Sequence, residues 1–124
     1  MVELFKALGD ESRLRILNIL IHNELCVCEI EVILKMTQSN ASRHLSKLKR
    51  VGIISSSKDA QWIHYKVSDE FIRNDELLFK YLKQKLETEN VFLNDLKRYN
   101  KYKKNNLNCK WITEDREKVL NLIK

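Results

Sequence analysis

The sequence predicts a mainly α-helical fold with one small β-hairpin. Glycine occurs only twice and proline not at all in 124 residues, which favours helices joined by short turns over an all-β fold. Apolar residues recur at spacings of three and four along most of the chain, and only residues 53–67 have a β-rich composition. These observations predict the order α-α-α-α-β-β-α plus a C-terminal helix, which is a winged helix-turn-helix.

Four helices are predicted in the first half of the chain. Asp10 is a suitable cap for the second helix, and Gly52 ends the fourth. A tight turn joins the third helix to the fourth, as in a helix-turn-helix motif. The predicted helices span residues 2–8, 11–21, 28–35 and 39–51.

The second half of the chain is predicted to begin with a hairpin formed by residues 53–57 and 62–67. Ser68 and Asp69 can cap one long helix, expected to run from about residue 70 to residue 99. A polar loop is expected at residues 100–108, and Thr113 is expected to begin a final short helix.

Positive charge is concentrated in two stretches without acidic residues. Lysine and arginine together number 23 against 17 acidic residues, and this net charge of +6 favours a polyanionic partner. The first stretch, residues 32–58, contains the fourth helix, whereas the second, residues 96–113, is typical of a solvated face. The first stretch is therefore the candidate nucleic-acid surface.

The fourth helix has one apolar stripe, Ala41, Leu45 and Leu48, and an opposite polar and basic face. Glutamine can pair with adenine and arginine with guanine, so the start of this helix suits the base edges of double-stranded DNA. Basic residues further along suit phosphates, and the hairpin would be the wing. The predicted DNA-binding residues are Gln38, Ser39, Asn40, Ser42, Arg43, Lys47, Lys49, Arg50, Lys58 and Gln61.

Two cysteines, Cys26 and Cys28, lie where the third helix is expected to begin. Thiolates are soft ligands, and a pair of them selects soft metals and metalloids. Residues two apart on a regular helix point in nearly opposite directions, so both sulfurs reach one ion only if the backbone there is not helical. Cys109 is a candidate third ligand, from the same or the partner subunit. No Cys-x-x-Cys, nucleotide-binding loop or acid–base pair favours an enzyme.

Three segments resemble, in order and spacing, the ArsR/SmtB family of winged-helix repressors, and the resemblance covers about residues 4–68. The family implies a homodimer that occupies a pseudo-palindromic operator and leaves it when an inducer binds. It also implies a dimer interface formed by the first helix and the long C-terminal helix. The segments are ALGDESRLRIL at residues 7–17, QSNASRHLSKL at residues 38–48 and WIHYKV at residues 62–67.

The segment ELCVCEI at residues 24–30 resembles the thiolate sensing motif of the arsenic-responsive members and of those that respond to cadmium or lead. The resemblance implies trivalent arsenic or antimony as the inducer, with no cofactor needed for DNA binding. Many arsenic sensors have a third cysteine where this chain has Glu31, and cadmium and lead sensors draw cysteines from an N-terminal arm. Cadmium or lead as inducer, and oxidation of the thiol pair, remain the alternatives.

The domain and location expected from the sequence follow from these features. Residues 1–99 are expected to form a winged helix-turn-helix DNA-binding and dimerisation domain, and residues 100–124 a basic C-terminal extension with a short helix. No signal peptide or membrane-spanning stretch is recognisable, so a cytoplasmic protein without a membrane partner is expected.

Overall fold

A computed structural model describes all 124 residues of the chain. It contains nine helices and a three-stranded antiparallel sheet. The helices are α1 (Val2–Leu8), α2 (Glu11–Leu20), α3 (Val27–Leu34), α4 (Gln38–Arg50), α5 (Asp69–Asn74), α6 (Glu76–Leu86), α7 (Asn90–Lys104), α8 (Cys109–Glu114) and α9 (Arg116–Leu122). The strands are β1 (Leu25–Cys26), β2 (Ile54–Asp59) and β3 (Trp62–Val67).

Helices α3 and α4 form the predicted helix-turn-helix and pack against each other. Helix α3 ends at Leu34, and the left-handed backbone of the next residue, Lys35 (φ 55°), turns the chain. Thr37 then caps α4 by accepting the Asn40 backbone N–H at 3.2 Å. Both helices begin within one residue of their predicted positions, and the winged helix-turn-helix fold class is confirmed.

The sheet has the strand order β1-β3-β2. Strands β2 and β3 form the predicted wing, with a turn at Ala60 and Gln61 in which Ala60 has a positive φ of 55°. Strand β1 was not predicted. It pairs with β3 and places Cys26 opposite His64, so the backbone of one candidate ligand is part of the wing sheet.

The prediction of one long helix over residues 70–99 is wrong, because the segment is divided into α5, α6 and α7. The first break is at Asp75 (φ −120°, ψ 43°), where Asn74 and Asp75 are weak helix formers. The second break follows Leu86, and there the Thr88 hydroxyl donates to the Lys85 carbonyl at 2.7 Å. Such local side-chain bonds compete with helical continuation.

The predicted loop at residues 100–108 is also wrong over its first half, because α7 continues to Lys104 and buries Tyr102 beside Tyr99. The single helix predicted from Thr113 is replaced by α8 and α9. Asn108 caps α8 and Asp115 caps α9, each through its side-chain oxygen. A boundary at residue 99 would lie inside α7, and the division of the chain into 1–99 and 100–124 stays a prediction.

The C-terminal helices share the core of the winged helix. Ile112, Val119 and Ile123 are buried with the apolar residues of α2, α3 and α4. Arg98 of α7 donates to the carbonyls of Val32 (2.7 Å), Ile33 (2.6 Å) and Ile123 (3.2 Å), which joins the end of α3 to the end of α9. None of the nine helices has the length and apolarity that crossing a bilayer requires.

Candidate functional site: a basic reading helix beside a thiol cluster

Helix α4, called here the reading helix because it carries most of the predicted DNA contacts, has a polar face that is open to solvent. Ala41, His44, Leu45 and Leu48 are buried toward the core. His44 belongs to the packing side, because its Nδ1 lies 3.3 Å from Nη1 of Arg13. The side chains on the other face, and those at the tip of the wing, are exposed; they are Gln38, Ser39, Asn40, Ser42, Arg43, Lys47, Lys49, Arg50, Lys58 and Gln61.

The open face of α4 has no acidic residue and ends in three basic side chains. Arg43 donates to the Asn40 side chain at 3.3 Å, which orients the guanidinium near the start of the helix. A helix with this face can enter the major groove with its first turns and contact phosphates with its last. All ten predicted DNA-binding residues are therefore accessible to a duplex.

Three sulfur atoms converge beside α3. The Sγ atoms of Cys26 and Cys28 are 2.9 Å apart, and those of Cys28 and Cys109 are 2.8 Å apart. Cys26 and Cys109 are paired as a disulfide with Cα atoms 7.3 Å apart, and Cys28 is free. That Cα separation exceeds the usual range of about 4.4–6.8 Å for a disulfide. All three sulfurs lie within 4.8 Å of one another, so in the reduced state they form one set of soft donors.

The local backbone explains how neighbours in the sequence share one cluster. Cys26 is extended (φ −89°, ψ 166°) and stands outside α3, whereas Cys28 lies in its first turn. This is the non-helical geometry that the spacing of the two cysteines required. Cys109 begins α8 and reaches the pair across a sequence separation of 83 residues.

A buried carboxylate, that of Glu29, links the backbone of the thiol cluster to α7. Glu29 accepts the Cys26 backbone N–H at 3.0 Å through one oxygen and the Tyr102 hydroxyl at 2.5 Å through the other. Both side chains are buried, so this pair fixes the start of α3 against α7. Sequence reasoning missed Glu29 and Tyr102. The acid three residues after the cap of α3 resembles a capping box and could have indicated Glu29.

The surroundings of Cys28 favour the protonated thiol. Burial is the main cause, and the carboxylates of Glu29 and Glu31 add to it, so that the pKa of Cys28 is raised to about 11. Binding of a soft ion to this sulfur must therefore displace a proton.

The thiol cluster borders the groove between α4 and the wing. A cleft of about 550 Å³ is lined by Cys26 and Cys28, by the predicted DNA contacts Gln38, Ser42 and Gln61, and by residues of β3, α8 and α9. Arg116 of α9 lies 3.7 Å from Glu31 of α3. Elements that carry thiols and elements that carry predicted DNA contacts thus meet in one place.

A second ion pair holds the other end of α3. Arg15 binds Asp95 through two nitrogens, at 2.7 and 2.9 Å, and also donates to the Leu34 carbonyl at 2.9 Å. Asp95 is buried, and its hydrogen bond raises the pKa of Arg15. Helix α3 is therefore fixed at both ends before the chain turns into α4.

The sequence is similar to bacterial regulatory proteins. A family model described as bacterial regulatory protein, arsR family, matches residues 10–56. The cadmium resistance transcriptional regulatory protein CadC of Listeria innocua is 41% identical over 75 residues, which are 60% of this chain and 59% of CadC. The arsenical resistance operon repressor of Escherichia coli is 41% identical over 68 residues, which are 54% of this chain and 58% of that repressor. The chain spans less than two thirds of either relative.

Two solved structures extend the comparison. Reduced HlyU from Vibrio cholerae is 41% identical with a TM-score of 0.55, and the match covers 64% of this chain and 85% of HlyU. The homodimeric winged helix-turn-helix DNA-binding domain from Mycobacterium bovis is 25% identical with a TM-score of 0.59, and the match covers 67% of this chain and 77% of that domain. CadC is described as a transcriptional regulatory protein, the Escherichia coli protein as a repressor and HlyU of Vibrio cholerae as a transcriptional activator.

Proposed function

Because the chain belongs to the arsR family of bacterial regulatory proteins, we propose that it is a metal- or metalloid-responsive transcriptional repressor. It binds double-stranded operator DNA as a homodimer, and trivalent arsenic or antimony bound to cysteine thiolates releases it. Its place of action is the cytoplasm, where thiols stay reduced. The observation that carries this proposal is the convergence of Cys26, Cys28 and Cys109.

Trivalent arsenic suits this set of donors. Its lone pair leaves three pyramidal positions, and three sulfurs within 4.8 Å of one another match that number. Arsenous acid would exchange its three hydroxyls for the sulfurs of Cys26, Cys28 and Cys109, and each thiol proton would leave with a hydroxyl as water. The arsenical resistance operon repressor of Escherichia coli, 41% identical over 68 residues, supports this ligand.

The position of the cluster supports a direct effect on DNA binding. Cys26 pairs with His64 in the wing sheet, and Cys28 begins the helix that packs against α4. An ion bound to the three sulfurs acts on the wing and on the reading helix at the same time. Complete release requires that the ion favour the DNA-free arrangement by about 5.5 kcal/mol, whereas about 1–3 kcal/mol is typical of allosteric coupling.

An exposed apolar patch supports the homodimer. Phe5 in α1 is 53% exposed and Leu77 in α6 is 84% exposed, although both are large apolar residues. They line one cleft together with Met1 and Leu78, next to the polar side chains of residues 73–76, so α1 and the start of α6 present neighbouring exposed apolar side chains. We infer that α1 and α6, rather than one long helix, form the dimer interface. Leu77→Glu should give a monomer in analytical ultracentrifugation, whereas Leu122→Glu on α9 should not.

The repressor proposal is tested with a duplex that the wild-type protein selects from a random-sequence library. Arsenite should release the wild type from this duplex in a gel shift under reducing conditions. Cys26→Ser, Cys28→Ser and Cys109→Ser should each bind the duplex as well as the wild type but require at least tenfold more arsenite. Release of the Cys26 and Cys28 variants at the wild-type arsenite concentration would rule out the proposed site.

Cadmium or lead is the second candidate inducer. The similarity to CadC of Listeria innocua, 41% over 75 residues, supports it, as does the softness of three sulfur donors. The same gel shift with cadmium and lead salts separates the candidates, because the natural inducer should release the protein at the lowest free concentration.

Oxidation of the thiols is the third candidate input. The sequence directed attention to Cys26 and Cys28, but the structure pairs Cys26 with Cys109. Hydrogen peroxide would take two electrons and two protons from these two thiols, forming one disulfide and two water molecules. A redox sensor should leave DNA on peroxide treatment and return on reduction, and Cys109→Ser should abolish that response.

A further inference from the structure

A cluster of basic side chains lies where the end of α1 meets the end of α4. Lys6, Arg13, Lys47 and Arg50 line a cavity of about 230 Å³ there, and Glu3 is the one acidic residue in its wall. The Glu3 carboxylate lies 3.6 Å from the Lys6 ammonium, and both are exposed. The cavity therefore has a clear excess of positive charge.

Arg13 gives this cavity a fixed wall. Its guanidinium donates to the carbonyls of Ala7 (2.6 Å) and Lys6 (3.2 Å), and Nη1 lies 3.3 Å from His44 Nδ1 and 3.9 Å from the Asp10 carboxylate. The side chain is only 11% exposed. One largely covered side chain thus fixes the C-terminal end of α1 against the reading helix.

The two cations that α4 contributes to the cavity are free to bind a ligand. Lys47 and Arg50 are exposed and form no ion pair within the chain. They lie on the same face of α4 as Arg43, which is placed nearer the start of the helix. If the first turns of α4 contact the base edges of a duplex, the backbone phosphates of that duplex lie next to the last turns of α4.

We propose that this cavity binds a DNA backbone phosphate, with Lys6 of α1 as a contact in addition to Lys47 and Arg50 of α4. This inference rests on the proposed DNA-binding function and adds α1 to the elements that touch the duplex. The ligand chemistry is a phosphate oxygen held by several ammonium and guanidinium groups, which contact it without reading sequence.

Salt dependence of binding is the appropriate measurement, because each phosphate contact contributes about 0.9 to the slope of log affinity against log salt concentration. Lys6→Gln and Lys47→Gln should each lower the magnitude of this slope by up to about 1.8, equally on a selected and on an unrelated duplex, because the homodimer carries each substitution twice. Lys85→Gln removes the same charge from α6, outside the cavity, and should leave the slope unchanged. Sedimentation of each variant verifies that its dimer is intact.

The outcomes separate this inference from the function on which it rests. If Lys6→Gln has the same slope as Lys85→Gln while the wild type selects a duplex, the phosphate site is wrong and the repressor proposal stands. If the wild type selects no duplex, the proposed function itself fails. Tight binding of inorganic phosphate, seen as amide shifts of residues 6 and 50 at micromolar concentration with unchanged DNA slopes, would assign the cavity to a free anion and overturn the inference.

Discussion

The reading helix and the thiol cluster lie side by side but are built in different ways. The face of α4 comes from one continuous segment, and its predicted contacts are all exposed. The thiol cluster joins residues 83 positions apart and is largely buried, with Cys26 and Cys109 only 1% and 7% exposed. A surface built from one segment tolerates change around it, whereas a cluster built from two depends on the packing of the whole chain.

The largest effect is expected at the Arg15–Asp95 ion pair, because it holds the end of α3, and α3 contacts both the thiol cluster and α4. Asp95→Ala leaves Arg15 without its buried partner, and removal of one member of a buried ion pair costs about 3–5 kcal/mol. Urea unfolding should show this loss in the free energy of unfolding, and both DNA binding and arsenite binding should weaken. Asp69→Ala breaks the exposed pair with Lys66, and it should leave the free energy of unfolding, DNA binding and arsenite binding unchanged. An unchanged stability of Asp95→Ala would show that the end of α3 needs no ion pair.

The reading face should be separable from the thiol cluster. Arg43→Ala is expected to cost about 1–3 kcal/mol of binding per half-site of the selected duplex and to relax base preference at one position in each half-site. Its arsenite affinity should equal that of the wild type, because Arg43 contacts Asn40 on its own helix and not the cysteines. Fluorescence anisotropy with single-base variants of the duplex measures the first effect, and arsenite titration the second. A loss of arsenite affinity would mean that the two regions are not independent.

Two tyrosines on α7 provide a matched test of the support behind the cysteines. Both are buried, but Tyr102 donates to Glu29, whereas the Tyr99 hydroxyl has no hydrogen-bond partner although Asn23 is nearby. Tyr102→Phe should lower arsenite affinity by up to about 10-fold, the low end of the range for partners of metal ligands, because Tyr102 acts through Glu29 on the Cys26 backbone. Tyr99→Phe should leave it unchanged. Calorimetric titration with arsenite measures both variants. Equal arsenite affinities of Tyr102→Phe and Tyr99→Phe would show that the hydrogen bond between Tyr102 and Glu29 does not support the site.

The smallest effect is expected at the tip of the wing. Lys58 is exposed and forms no ion pair, so Lys58→Gln should remove one phosphate contact from each protomer and lower the salt slope of the dimer by about 1.8. Its response to arsenite should remain that of the wild type. An unchanged slope in filter-binding titrations over a range of salt concentrations would show that the wing tip does not touch DNA.

The same contrast explains what could be predicted from the sequence. The cap at Asp10, the stop at Gly52 and the apolar stripe of α4 are local signals, and the helices they predict are present. Strand β1 has only two residues and is formed by pairing with β3, so no local signal indicated it. The breaks at Asp75 and Thr88 depend on single side chains within a pattern that otherwise continues.

In the candidate site, too, residues with a local signal could be predicted, and residues brought together only by folding could not. Cys26 and Cys28 stand together in the sequence and were predicted as ligands from their spacing. Cys109 could be named only because it was the remaining thiol, and its place beside the pair follows from the packing of α8 against α3. Glu29 and Tyr102 lie 73 residues apart, and neither residue alone indicates that one would hold the other.

The most direct test of the thiol site is X-ray absorption spectroscopy of the reduced, arsenite-loaded protein. The proposal predicts three sulfur neighbours around arsenic in the wild type, and two sulfurs with one oxygen in Cys109→Ser. Two sulfurs and one oxygen in both proteins would contradict it, because α8 would then supply no ligand and the buried cluster would not be the arsenic site.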